Sequence, residues 1–442
     1  MPGSDLQPLR GSNEGPEGSK NVGVPWVSLC LPLLLITAIL FLSPNYRQPG
    51  PDAMRVDSLG GDFLQDWVGG YIAGSAEQSD RDRLYDLEYV KSIQHDAQIV
   101  GFEWPEKKYF PMVYPPFFYQ AMQPATLLSY PVACKLWGLF CGVAISLSAY
   151  LFYRFHEPSR GQIGIAVLAA LFFFPLIIAL TMGQKSTLLL LVLGGTFLLL
   201  HHKKPLPAGL VFGLIAVKPH LGIVIGLTML LKQQWSFAVG ALLTVGTLVG
   251  ISWWHNPRVW SDYFGVVSSM NDYVESGGYQ LAQSHSLWGA SQLLFAGVVS
   301  SLWVKVIAGL VAIVVLFLLW RVMSGAVDLS SRRFACQFSA MTLVTVMLSP
   351  HFYTYDLTIL LLPCLLLASC FSEVAGQSER SQICVRAVYV LLVALFVLSG
   401  LFERLATQTA VQFSIMLLIG VLLFLTFALS NARQHDQEAG IV

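Results

Sequence analysis

Apolar runs recur along almost the whole chain, and no other feature restricts its fold so far. Most are roughly 15–22 residues long, and about 20 residues cross a bilayer as a helix. They lie at Val24–Leu42, Ala133–Tyr153, Ile163–Thr181, Ser186–Leu200, Leu206–Val217, Leu221–Leu231, Phe237–Trp254, Leu302–Trp320, Ala335–Leu348, Leu357–Phe371, Ala387–Leu401 and Val411–Leu429. The chain therefore reads as an all-α polytopic membrane protein of about 12 transmembrane helices. Phe117–Tyr130 and Leu287–Val299 are apolar but short, and read as re-entrant or interfacial pieces. Composition agrees, with 55% hydrophobic and only 12% charged residues. A soluble domain carries about 25% charged residues.

Residues 1–23, rich in Gly, Pro and Ser, read as a disordered cytoplasmic tail. Residues 24–430 form the membrane domain, 43–116 its long first outward loop, and 431–442 a second cytoplasmic tail. No A-x-A cleavage pattern follows Leu42, so Val24–Leu42 reads as a retained span rather than a signal peptide. Lys and Arg in short loops set the orientation. Arg154 with Arg160, Lys203 with Lys204, Lys232, Arg321 with Arg332 and Arg333, and Arg380 with Arg386 fall on one side if the spans alternate. Taking that side as cytoplasmic puts both termini there. The polar motifs between spans then all face outward: GGDFLQDW (Gly60–Trp67), VYPPFFY (Val113–Tyr119), MGQKS (Met182–Ser186), VKPH (Val217–His220), the His255–Ser286 loop and SPHFYTYD (Ser349–Asp356). A formal net charge of zero offers nothing to nucleic acid. None of the seven cysteines has CxxC spacing, so neither a disulfide framework nor a zinc site is expected.

Asp62 and Asp66 stand four apart, beside a Phe63, Trp67, Tyr71 stripe at the same spacing. On a helix both acids share one face, as in an amphipathic segment lying along a membrane surface. They read as a general base or a cation-holding pair, or else as solvated acids or helix caps. Lys218 sits between two short apolar runs, before the helix-breaking Pro219. It reads either as a contact for a lipid-linked phosphate or as a lysine snorkelling to the interface. In MGQKS, Gly183 allows close backbone approach, Gln184 can bond a hydroxyl-rich ligand and Lys185 adds charge; the alternative is a tight interhelical turn. Tyr114, Phe117, Phe118 and Tyr119 suit an interfacial belt or a platform for a sugar ring. His351 is a candidate contact for phosphate or sugar, with Tyr355 beside it, and Asp356 either holds a basic partner or fixes His351. Ser286 reads as a helix N-cap, with His285 a lesser candidate for substrate contact.

In order along the chain, the segments GDF with LYD, then YPP, GQKSTLLLLVLGG, AGLVFGLIAVKP and LSPHFYTYDL resemble the bacterial membrane glycosyltransferases of family 87, in the GT-C superfamily. The resemblance covers about residues 24–430. It implies a GT-C-like bundle with an extended first outward loop, in a bacterial inner membrane, its site facing the periplasm or cell exterior. It also implies a polyprenyl-phosphate sugar donor, typically mannose, a lipid or glycan acceptor and inversion at the anomeric carbon. By the same resemblance Asp62 is the base, with Asp66 second. Lys218 matches the KP element, and Gly183 with Gln184 the GQ element. On their own chemistry Lys185, His351, Tyr114 and Tyr355 join them as donor phosphate or sugar contacts, although His351 departs from the family pattern. No cofactor is expected. The Gln78–Pro111 segment, with Arg81, Arg83, Lys107 and Lys108, departs from the family pattern and is where acceptor choice is expected. Two other functions fit the composition: a transporter or flippase of a lipid-linked sugar, and a non-catalytic partner in an envelope-glycan complex.

Overall fold

A computed structural model describes residues 61–101, 109–156, 173–273, 281–295, 297–374 and 398–438. The Val24–Leu42 span, Lys107, Lys108, Arg160, Arg380, Arg386 and most of the Ile163–Thr181 and Ala387–Leu401 runs lie outside them. Among the described residues the secondary structure is helical, apart from one isolated bridge between Ser284 and Tyr353.

Five short helices precede the long ones: α1 (Phe63–Ala73), α2 (Gln78–Arg81), α3 (Leu87–His95), α4 (Ala97–Val100) and α5 (Pro116–Met122). Then come α6 (Tyr130–His156), α7 (Phe174–Thr181), α8 (Ser186–His201), α9 (Pro205–Phe212), α10 (Ile223–Leu231), α11 (Trp235–His255) and α12 (Arg258–Tyr273). The chain continues through α13 (Leu287–Phe295), α14 (Ser301–Met323), α15 (Arg332–Leu348), α16 (Leu361–Val374), α17 (Ser399–Thr409) and α18 (Phe413–Glu438). At the head of α13, Gly289 N–H donates to Ser286 Oγ at 3.1 Å, the cap read from the sequence.

The 3 helices α6, α11 and α14 are individually long and apolar enough to cross a membrane. The outer faces of α11 and α14 are apolar as well, with Leu242, Trp254, Ile313 and Trp320 all exposed. Side chains of that kind are costly in water and at home against lipid tails. The same number rises to 5 if α7 with α8, and α17 with most of α18, each count as one broken span. These pairs bend by 119° and 120°. The described residues thus hold several membrane helices, some of them broken, and three of the 12 apolar runs lie wholly or mostly outside those residues. Hydropathy averages over a run and is blind to a break inside it. The Leu206–Val217 run, for example, folds as α9 and a 3₁₀ turn over Gly213–Val217, and the Leu221–Leu231 run becomes α10 behind a second 3₁₀ turn, Pro219–Leu221.

α1 does not lie on a surface as its amphipathic spacing implies. Phe63, Leu64, Val68 and Ile72 are fully buried, and of its aromatic stripe only Tyr71 is exposed. Phe63 stacks on Trp137 of α6, with ring centroids 5.2 Å apart. On the opposite side Gly69 admits the Tyr119 ring of α5, because a Cβ there would stand 2.1 Å from it. Tyr119 is fully buried and cannot swing away. Gly69→Ala is therefore expected to destabilise the protein by about 1–3 kcal/mol through overpacking. Thermal unfolding of the purified protein in detergent measures this.

Candidate active site

The site is built on the turn between α7 and α8. Gly183 has φ of +69°, a left-handed conformation that a glycine adopts without strain. Its carbonyl accepts a bond from Trp137 Nε1 at 2.7 Å, which pins the turn to α6. The next three residues, Gln184, Lys185 and Ser186, are buried. Each holds one carboxylate from a distant part of the chain.

Gln184 Nε2 donates to Asp62 Oδ2. The Asp62 backbone N–H donates to the Met182 carbonyl at 3.1 Å, so both ends of this residue are fastened to the same turn. Lys185 Nζ stands 2.7 Å from Asp66 Oδ2. Ser186 Oγ donates to Asp356 Oδ1 at 2.7 Å, and Lys218 Nζ reaches that same oxygen at 2.7 Å. Ser186 is the member of this set that sequence reasoning passed over, although it stands directly after the lysine it accompanies.

Charge divides the three acids. Asp66 is buried against Lys185, and Asp356 against Lys218. Each is a desolvated ion pair, in which losing one partner strands the other charge. Asp62 is held directly by a neutral amide and stays partly exposed. It sits at the N-terminal edge of α1, outside the spans, yet its side chain makes no cap bond there. Burial raises its pKa above the ordinary 3.8, opposed by the Gln184 bond and by the charges of Lys185 and Lys218.

The aromatic residues serve the lysines. The Lys185 ammonium lies 3.9 Å from the Tyr114 ring centroid and 5.3 Å from that of Phe118. Tyr114, Phe117, Phe118 and Tyr119 are all buried, so they form packing and a cation–π support, in place of the open sugar platform or interfacial belt expected of them. Lys218 lies 5.2 Å from the Tyr355 ring, and is buried and paired rather than snorkelling. His351 is half-buried at the margin of the cluster, and the His220 ring is hydrogen-bonded to its backbone.

His285 belongs to a separate network. It is fully buried, with Nδ1 2.8 Å from Ser414 Oγ and Nε2 3.1 Å from Thr354 Oγ1. Its backbone N–H donates to the Phe352 carbonyl at 2.8 Å. This is a strut behind the 353–356 turn, not a substrate contact. In the 78–111 segment Arg81 and Arg83 are engaged locally. Arg81 donates to the Ser75 and Ala76 carbonyls, and Arg83 pairs with Asp86 at 2.9 Å. Asp82 accepts from Asn256 and Arg258 at the head of α12.

A family model, Glycosyltransferase family 87, matches residues 112–350, over half of the chain. The match contains Tyr114, Gln184, Lys185, Ser186 and Lys218; Asp62 and Asp66 precede it and Asp356 follows it. No curated protein and no solved structure matches the chain.

Proposed function

The chain belongs to glycosyltransferase family 87 and is a membrane glycosyltransferase, and on that premise we propose that it moves a sugar, mannose in the first instance, from a polyprenyl-phosphate donor to a lipid or glycan acceptor. The reaction takes place on the outer face of the membrane and inverts the anomeric carbon. Asp62 is the base. One observation carries this reading: of the three carboxylates gathered at the 183–186 turn, Asp62 is the one without a direct ammonium partner. A carboxylate bound to a lysine must break a buried ion pair to take a proton, and doing so strands the ammonium. Asp62, partly exposed and held by an amide, has no such pair to break.

In the proposed step the acceptor hydroxyl gives its proton to Asp62 as its oxygen attacks the anomeric carbon. The bond from that carbon to the phosphate oxygen breaks with its electron pair, and polyprenyl phosphate leaves. A phosphate leaving group needs no general acid, but its growing charge calls for a nearby cation. Lys218 fills that role, with Tyr355 and His351 at the same margin and Lys185 on the other side of the turn.

The raised pKa of Asp62 sets a pH dependence. The base works when deprotonated, so kcat/KM rises with pH through its pKa, and burial places that limb above the ordinary carboxylate range. Initial rates across a pH series check this, and a limb at or below the ordinary carboxylate value contradicts it. The transfer itself is tested by offering purified protein several polyprenyl-phosphate sugars with a lipid extract. The expected result is one preferred donor, with product of inverted configuration; retained configuration overturns the single-base mechanism.

A further inference from the structure

The sequence reading gives Gln184 to a sugar hydroxyl, but its amide nitrogen is already directed at Asp62. We infer that Gln184 is the positioning residue for Asp62, fixing the direction of the carboxylate and keeping it a proton acceptor, and is not a sugar ligand. The inference rests on the assignment of Asp62 as the base.

Four observations support it. Asp62 is tied to the turn twice, through its N–H to Met182 and through its carboxylate to Gln184. The turn itself is clamped: Gln184 N–H donates to the Ala179 carbonyl at 2.8 Å, and Trp137 holds the Gly183 carbonyl. Gln184 is buried, at 3% exposure, so its side chain is held in place by packing. The cations that face Asp62 are already matched. Lys185 at the start of α8 has Asp66, in the helix that Asp62 precedes, and Lys218 has Asp356 from the 3₁₀ turn Thr354–Leu360. The amide is therefore the direct donor that sets where the free Asp62 oxygen points.

A donor to a carboxylate favours its ionised form. Removing it makes Asp62 easier to protonate and moves the acid limb of the rate profile to higher pH. The experiment compares Gln184→Leu, Gln184→Glu and Asp62→Asn in full-length purified protein, with polyprenyl-phosphate mannose and a lipid extract, over a pH series. Gln184→Leu is expected to lower kcat about 10- to 100-fold at neutral pH, the effect of losing one hydrogen bond to a charged group. The donor KM stays nearly unchanged and the acid limb moves up. Gln184→Glu keeps the shape but sets two carboxyls against each other, and is expected to move the limb up by about one pH unit or more. This variant carries the readout if Gln184→Leu does not fold. A raised donor KM with an unmoved limb would make Gln184 a sugar ligand and overturn the inference, as would an unmoved limb with unchanged kinetics. Full activity in Asp62→Asn, whatever the Gln184 variants do, removes the base assignment itself and the inference with it.

Discussion

Replacing Asp62 by asparagine is expected to lower kcat about 10²–10⁴-fold, the usual worth of a general base, and to leave the fold intact. Asparagine has the same shape, and its side-chain oxygen can still accept the Gln184 amide bond. What it cannot do is take a proton from the acceptor hydroxyl. The contrast is Asp66→Asn, one turn along the same helix. That change strands the Lys185 ammonium, which has 1% exposure and has Asp66 2.7 Å away. Its expected cost is about 3–5 kcal/mol of stability, the penalty for an uncompensated buried charge. Initial rates per folded molecule, with thermal unfolding of each variant, separate the two. A stable Asp62→Asn protein with wild-type kcat would show that the base is elsewhere.

The second large effect concerns Lys218 and Asp356. Asp356→Asn is expected to cost about 3–5 kcal/mol, because Lys218 then lies buried without its counter-charge. Removing both charges, as Lys218→Met with Asp356→Leu, is expected to restore most of that stability, since the desolvation penalty disappears with the ions. Activity is expected to stay low in the double variant, because the leaving phosphate has lost its cation. A double variant that regains both stability and wild-type turnover would reduce the pair to a structural fastening. Comparing unfolding temperature with turnover across the two single variants and the double one decides this.

Parts of the site could be read from the chain because the physical demand was local. A lysine between two short apolar runs, ahead of a proline, needs a partner, so Lys218 stood out. The partner could not be named, because Asp356 lies 138 residues further on and only the tertiary fold brings the two together. Gly183 announced a turn, but nothing local shows that its next three residues each serve a different acid. The segment around Asp62 misled for a related reason. Its spacing is that of a surface helix, and drawing the two acids in from the surface is tolerable only because Gln184 and Lys185 arrive from the turn before α8 to meet them. The aromatic run Tyr114–Tyr119 was noticed for its chemistry, but the sequence could not show that Tyr114 and Phe118 face Lys185 and that Phe117 and Tyr119 face the interior rather than a ligand. Membrane character was legible from composition alone. Whether a run is a full span or half of a broken one was not, because hydropathy treats the runs on either side of the 119° bend between α7 and α8 as two ordinary spans.

The most direct test of the central claim is a transfer assay with purified wild-type and Asp62→Asn protein in detergent, offered radiolabelled polyprenyl-phosphate mannose and a lipid extract from the source cells. The expected result is a labelled lipid or glycan product with the wild type, lost in the variant. A labelled product undiminished in Asp62→Asn would contradict the assignment of the base. No transfer from any polyprenyl-phosphate sugar, together with movement of the intact donor across proteoliposomes, would contradict the account as a whole.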